Sequence, residues 1–132
     1  MATKSSNPVF VFGSNESGIH GGGAARFAYD HRGARMKFSY GHWSDSFAIP
    51  TKNQAISDAL PLERIEQYVQ GFLAYAAGHP ELVFQVTRIG CGLAGLKDKD
   101  IAPMFEQASL NCEFDKAWKP YLGDEFRYWG TF

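Results

Sequence analysis

Lys52 closes the run Phe47-Ala48-Ile49-Pro50-Thr51-Lys52, just beyond a short apolar stretch that reads as a buried strand. An amine sheltered from water at the end of such a strand is a nucleophile toward a sugar aldehyde or hemiacetal carbon. A solvated surface lysine fits the same spacing. Two glycine-rich stretches flank this position in the chain. Gly21-Gly22-Gly23 runs into Ala24-Ala25-Arg26-Phe27-Ala28-Tyr29, which reads as a helix, and Gly90-Cys91-Gly92-Leu93-Ala94-Gly95-Leu96 follows an apolar run. Strand, glycine turn and helix together present free backbone N–H groups to an anion, and glycine lets the ligand approach without a Cβ in the way. Two such loops facing one pocket suit a diphosphate. Tight turns of a small fold are the plain alternative. The dinucleotide fingerprint and the P-loop lysine-serine pattern are both absent.

Other side chains carry two readings each. Asn15 is placed to hydrogen-bond sugar hydroxyls with both ends of its amide, or to cap its own turn. His20, just before the three glycines, is a pocket wall or proton carrier, or a loop histidine. His31, His42 and His79 carry less. Cys91 invites a nucleophile reading, yet no histidine-plus-acid arrangement stands ready to activate it, and a small buried thiol is the usual behaviour. No metal-ligand cluster is visible.

Composition bounds the answer. At 132 residues the chain is one domain with a core of its own. A net charge of −1 argues against a general phosphate-backbone binder and leaves a small nucleotide ligand open. Cys91 and Cys112 make neither a disulfide framework nor a metal spacing, which points to a reducing compartment. The start, residues 1–7, is a polar, flexible lead-in without signal-peptide features, and no apolar run is long enough to span a membrane. The expectation is a cytoplasmic domain with no membrane partner and no strong general affinity for nucleic acid.

The elements needed to position these residues follow in order. Val9-Phe10-Val11-Phe12 reads as a strand, Gly13 to Gly18 as a turn, and residues 24–29 as a helix ending near Gly33. Residues 35–40 alternate as a short strand, Gly41-His42-Trp43-Ser44-Asp45 reads as a turn, and Pro50 cuts off a strand over 46–49. Ile65, Val69, Phe72, Leu73 and Ala76 share one face of a helix over 62–77, stopped by Gly78-His79-Pro80. Residues 82–89 are a third strand. Asp98 or Asp100 is placed to cap a helix over about 101–109. The aromatic tail, residues 111–132, reads as a cover packed on the domain. This alternation predicts an α/β domain with a largely parallel sheet flanked by helices. Ligands bind such sheets at the strands' carboxyl ends, where the loop from Asn15, Thr51-Lys52 and the loop from Gly90 all fall.

These residues resemble a family. Asn15-Glu16-Ser17-Gly18-Ile19-His20-Gly21-Gly22-Gly23-Ala24 is similar to the N-x-x-G-x-x-G-x-G-I/A loop of the macro domains, which bind ADP-ribose, in the branch of ADP-ribosyl glycohydrolases that use a lysine. Phe47 to Lys52 is similar to that branch's strand ending in T-K. Ile89-Gly90-Cys91-Gly92-Leu93-Ala94-Gly95-Leu96 is similar to its I/L-G-C-G-L-x-x-L loop, the most specific of the three. The motifs stand in the family's order, cover residues 9 to about 104, and leave the tail unmatched. The resemblance implies a macro-domain-like three-layer sandwich with a mixed, mostly parallel sheet. It implies ADP-ribose, or an ADP-ribosylated protein, DNA or small nucleotide, as ligand, no cofactor and no metal, and Lys52 as the catalytic residue. It assigns ligand contacts to Asn15, Gly18, His20, Gly21, Gly22, Gly23, Ala24 and Thr51, and to Gly90, Cys91, Gly92, Leu93, Ala94, Gly95 and Leu96. Two positions depart from the pattern. An aspartate follows the loop leucine in the eukaryotic protein-deglycosylating members, and here that position is Ala94. Bacterial members acting on ADP-ribosylated DNA also carry a small residue there, so any general acid would come from elsewhere, with Glu16 and His20 as candidates. Phe12 stands where an asparagine is frequent.

Three functions therefore compete. One is a hydrolase that removes ADP-ribose from a macromolecule or small conjugate. Another is a non-catalytic reader or sponge of ADP-ribose or an NAD-derived nucleotide, which Ala94 favours. The third is a nucleotide hydrolase with Cys91 as nucleophile.

Overall fold

The computed structural model describes residues 7–132; of the expected lead-in, residues 1–6 lie outside the described residues. Strand β1 (Val9–Asn15) lies in the middle of the sheet. It pairs in parallel with β3 (Ser46–Lys52) on one side and with β4 (Phe84–Val86) on the other. Strand side chains alternate between faces. Val9 and Val11 join the larger core cluster with Ile65, Val69 and Phe72, whereas Phe10 and Phe12 join a smaller one with Ala25 and Ala28. Helix α1 (Gly23–His31) thus covers one face and helix α2 (Leu62–Ala77) the other. Burial on both faces explains why the opening strand is apolar throughout rather than alternating.

The full strand order is β2-β3-β1-β4-β5-β6, with β2 at Gly41–Trp43, β5 at Cys112–Asp115 and β6 at Arg127–Gly130. Only the β2–β3 pair is antiparallel, so the sheet is mixed and mostly parallel. Two one-turn helices, α3 (Asp98–Ile101) and α4 (Lys119–Leu122), and 3₁₀ turns at Ala102–Phe105 and Lys116–Trp118 complete an α/β fold. No helix among the described residues is long and apolar enough to cross a membrane.

Several expected elements are displaced. Residues 35–40 form a loop, not a strand. Lys37 has φ 70, its N–H donates to the Gly18 carbonyl at 2.6 Å, and the Arg35 guanidinium lies 4.7 Å over the Trp43 ring. The strand comes instead at Gly41–Trp43, where the sequence predicts a turn. β3 continues through Pro50 to Lys52. β2 pairs only as far as Ala48, so the outer edge of β3 is open at Pro50, a position at which a strand tolerates proline. The third strand shrinks to Phe84–Val86: the Thr87 N–H makes the last bond to β1, at the Val11 carbonyl, and the Ile89 N–H then turns back onto the Thr87 carbonyl at 2.8 Å, which bends the chain away. The helix expected over 101–109 begins at Asp98 and tightens into a 3₁₀ turn at Pro103, which has no N–H to donate. Neither Asp98 nor Asp100 caps it; Lys97 holds that position.

The tail does more than cover the domain. It supplies β5 and β6, and Phe114 and Trp118 are buried against Phe105. The fully buried Asp115 fastens the chain's last described turn. One carboxylate oxygen accepts from the Ala117 N–H at 2.9 Å, and the other from the Thr131 hydroxyl at 2.9 Å and the Phe132 N–H at 3.1 Å. Since the tail is part of the core, Phe114→Ala should cost roughly 3–5 kcal/mol. Urea denaturation would read this as a lower midpoint; a loss under about 1 kcal/mol would return the tail to the role of a peripheral cover.

Candidate functional site

At the carboxyl edge of the sheet, three adjacent strands end in a hydroxyl residue followed by a polar or charged one: Ser14-Asn15 on β1, Thr51-Lys52 on β3, and Thr87-Arg88 after β4. The hydroxyls are committed to the backbone. Ser14 donates to the Ser39 carbonyl, Thr51 to the Ser14 carbonyl at 3.3 Å, and Thr87 to the Val11 carbonyl at 2.7 Å.

The first glycine loop is shaped by Asn15. Its Oδ1 accepts from the Ile19 N–H at 3.0 Å and the Ser17 hydroxyl at 2.9 Å, and its Nδ2 donates to the Ile19 carbonyl at 2.8 Å. Of the two readings of Asn15, this is the turn-forming one. Gly18, with φ 71, presses on the neighbouring loop so closely that a Cβ would come within 2.6 Å of the Lys37 Cα. Gly22 then stands at the start of α1 with no side-chain cap, so the first N–H groups of the helix keep no partner from that residue.

The second loop is bracketed by a bidentate ion pair. Arg88 Nε and Nη2 donate to the two Asp98 oxygens at 2.8 and 2.6 Å, enclosing residues 89–97. The Trp118 indole N–H adds a third bond to Asp98 at 2.6 Å. Inside the bracket the Leu96 N–H donates to the Gly90 carbonyl at 2.8 Å and the Gly95 N–H to the Gly92 carbonyl at 3.0 Å. Gly90 has φ 74, and a Cβ there would meet Leu96 at 2.8 Å.

The two loops enclose a cavity of about 570 Å³, within the range that holds a small-molecule ligand. Of the residues expected at a ligand, Asn15, Gly21, Gly22, Gly23, Ala24, Thr51, Lys52, Gly90, Cys91, Gly92, Leu93 and Ala94 line it. Leu93 is largely exposed yet reaches the opposite loop, its Cδ1 3.1 Å from where a Gly22 Cβ would stand. It forms a strap between the loops. Four expected residues do not line the cavity: Gly18 and His20 lie behind the first loop, and Gly95 and Leu96 shape the second. His20 is fully buried, with Nε2 2.8 Å from the Arg35 carbonyl, Nδ1 unpartnered, and its ring edge-on to Phe12. Burial lowers its pKa, so it is a neutral core histidine rather than a pocket wall or proton carrier.

Sequence reasoning missed Arg88, Ile56 and Phe132, which also line the cavity. Arg88 was detectable, since it directly precedes the second glycine loop. Ile56, at φ 61, and Phe132, brought in by β6 and Asp115, carry no local signal. Phe132 packs its half-exposed ring against Phe10 and Phe27 and closes one end of the cavity.

The electrostatics are one-sided. Among the described residues Lys52 and Arg88 are the charged ones lining the cavity, and no Asp or Glu lines it. Glu16 is held elsewhere: Tyr68 at 2.7 Å and Arg64 at 2.8 and 2.9 Å bond its carboxylate and lower its pKa, which keeps it ionised and unsuited to donating a proton. Burial, with the negative Asp98 nearby, pushes the Cys91 thiol up to about 12. With no His, Asp or Glu beside it on the cavity lining to take its proton, this thiol gives the nucleophile reading of Cys91 no support. Among the described residues no group of three or more His, Cys, Asp or Glu converges as metal ligands would. No protein-family model matches the chain, and no curated protein matches it in sequence.

The Arg88–Asp98 bracket has a pH signature. Bonds from Arg88, and then from Trp118, hold Asp98 down at about 2, below its ordinary 3.8. Its contribution to stability is therefore complete above pH 3.8 and lost as pH falls through 2. Wild type should be more stable than Asp98→Asn by a constant margin from pH 7 to about 4, and the margin should close between 4 and 2. Urea midpoints across that range check this; a margin independent of pH would mean the carboxylate charge is not what closes the loop.

Proposed function

We propose that the chain is a macro-domain-like protein that binds the ADP-ribosyl group of a conjugate and hydrolyses its bond to the anomeric carbon with Lys52. The observation that carries this reading is a cavity between two glycine loops with cations and no acid on its walls. An anion with flanking apolar and sugar parts suits it. The diphosphate lies against the N-terminus of α1 and the second loop, the base on the Phe132 ring, and the far ribose beside Asn15 and Lys52. The three motifs, their order and the mixed, mostly parallel sheet favour the macro-domain arrangement over other α/β folds.

In the chemical step the Lys52 nitrogen, its proton passed to water, adds to the anomeric carbon as the bond to the leaving group breaks, and the electron pair departs with that group. The nitrogen gives up a second proton to water, and its lone pair then forms an iminium as the ring oxygen leaves C1 with the C–O electron pair and takes a proton. Water adds to the iminium carbon, one of its protons passes to the nitrogen and the other to solvent, and the amine departs to leave the aldehyde form of ADP-ribose, which recloses. Backbone N–H groups fixed around the diphosphate hold the ribose at the lysine.

A second reading, a binder without turnover, is favoured by one observation: among the described residues no Asp, Glu or His lines the cavity to protonate a leaving group. Turnover of ADP-ribosylated protein and of ADP-ribosylated DNA separates the two, alongside calorimetry with free ADP-ribose. Lys52→Ala should retain ADP-ribose binding within about threefold and lose at least about 100-fold in turnover on the true substrate. Equal rates in the two proteins would end the catalytic role of Lys52, and binding with no turnover of either substrate by wild type would establish the binder.

The strap tests the cavity itself. Gly22 has φ −159, a conformation open to any residue, so Gly22→Val strains no backbone but drives a branched side chain into Leu93. The variant should keep its thermal midpoint and lose at least about tenfold in ADP-ribose affinity by calorimetry; unchanged affinity would place the ligand elsewhere.

A further inference from the structure

The cavity's second cation has no part in the chemistry described above. Arg88 is held from one side only. Asp98 engages Nε and Nη2, and a guanidinium carries five N–H donors, so Nη1 and the second Nη2 hydrogen are left outside that pair. Asp98 is itself fixed by the indole of Trp118, a fully buried side chain, so the guanidinium plane is set by the core rather than by solvent. Lys52 ends β3 and Arg88 follows β4, the strands on either side of β1, so the two residues line the cavity from opposite sides of β1.

We infer that Arg88, aimed by Asp98 and Trp118, is the anion-binding side chain of this cavity and takes a pyrophosphate group. Its role supplements the backbone N–H groups with a charged, planar donor. Arginine presents two N–H bonds to a phosphate where lysine offers a point charge, so the position discriminates between the two. The inference concerns an anion subsite of the cavity assigned above to ADP-ribose, and it can fail or hold independently of that assignment.

The experiment uses inorganic pyrophosphate and ADP-ribose as probes on the full chain. Calorimetry at two salt concentrations should show Arg88→Gln weakening pyrophosphate by at least about tenfold and flattening its salt dependence. Arg88→Lys should recover part of the affinity and all of the salt dependence. Asp98→Asn, which keeps the Arg88 cation but removes the carboxylate that aims it and opposes an anion, should weaken pyrophosphate less than Arg88→Gln and leave the salt dependence at least as steep. Should Arg88→Gln fail to fold, wild type still decides: the Arg88 Nε–H resonance, assigned by its absence in Arg88→Lys, should shift on pyrophosphate titration. Pyrophosphate binding unaltered in Arg88→Gln, equal losses in Arg88→Gln and Asp98→Asn with unchanged salt dependence, or no shift of that resonance would each overturn the inference and leave Arg88 as a loop fastener. If wild type binds pyrophosphate through Arg88 but not ADP-ribose, the subsite stands and the ADP-ribose reading falls. If it binds ADP-ribose equally well with and without Arg88, the reverse holds.

Discussion

A parallel strand covered by helices on both faces has nowhere to place polar groups except its ends. β1 meets this constraint in full: Val9, Phe10, Val11 and Phe12 are all buried, two toward each core cluster. β3 is buried from Ser46 to Thr51, and β4 keeps Phe84 and Val86 buried with half-buried Gln85 between them. Apart from Ser46 and Gln85, the polar side chains of the three central strands stand at the carboxyl edge. There a hydroxyl residue appears three times, followed by Asn15, Lys52 or Arg88. Everything the molecule offers a ligand follows from that placement.

The hydroxyl in each pair has a structural duty. A buried hydroxyl without a partner costs about 1–3 kcal/mol, and each of these donates to a carbonyl of a neighbouring segment. In doing so they fasten the strand ends and leave the next residue to face the cavity. Asn15 follows the same logic one step further, since its amide closes the loop that carries the first glycines. On the proposed reading, recognition falls to backbone N–H groups, Lys52 and Arg88, in loops already held by Asn15 on one side and the Arg88–Asp98 bracket on the other. A ligand entering such a site orders little of the chain, so little of its binding energy is lost to entropy.

Which features were legible in the sequence follows from the range of the forces involved. The spacing of Ile65, Val69, Phe72, Leu73 and Ala76 reports a helix face directly, and α2 runs over the expected residues. Both glycine loops were legible because strand, turn and helix signals are local. The errors arise where distant contacts decide. Residues 35–40 alternate like a strand, but Gly18 and Ser14 claim their backbone groups. Asp98 looks like a helix cap, yet Arg88 and Trp118, ten and twenty residues away, take its carboxylate. His20 beside three glycines suggests a pocket, whereas the loop turns it inward under Phe12. Phe132 reaches the cavity only because Asp115 fastens the turn after β6, a pairing that no local pattern announces.

The lack of an acid on the cavity walls bears on what Lys52 can cleave. Glu16 is kept ionised by Tyr68 and Arg64, and His20 is sealed in the core, so neither supplies a proton. Expulsion of an alkoxide or an amine requires such a proton in the transition state, and positioned acids contribute roughly 10²–10⁴-fold to those reactions. A leaving group that is stable as an anion needs none; a carboxylate, whose parent acid ionises near pH 4, departs unassisted at neutral pH. On the proposed reading, the electrostatics therefore select the linkage as well as the ligand. On that reading a leaving group stable as an anion departs, while strongly basic ones stay bound to the sugar. The same residues would then serve hydrolysis of acyl-type linkages and binding without turnover of ether and amine ones.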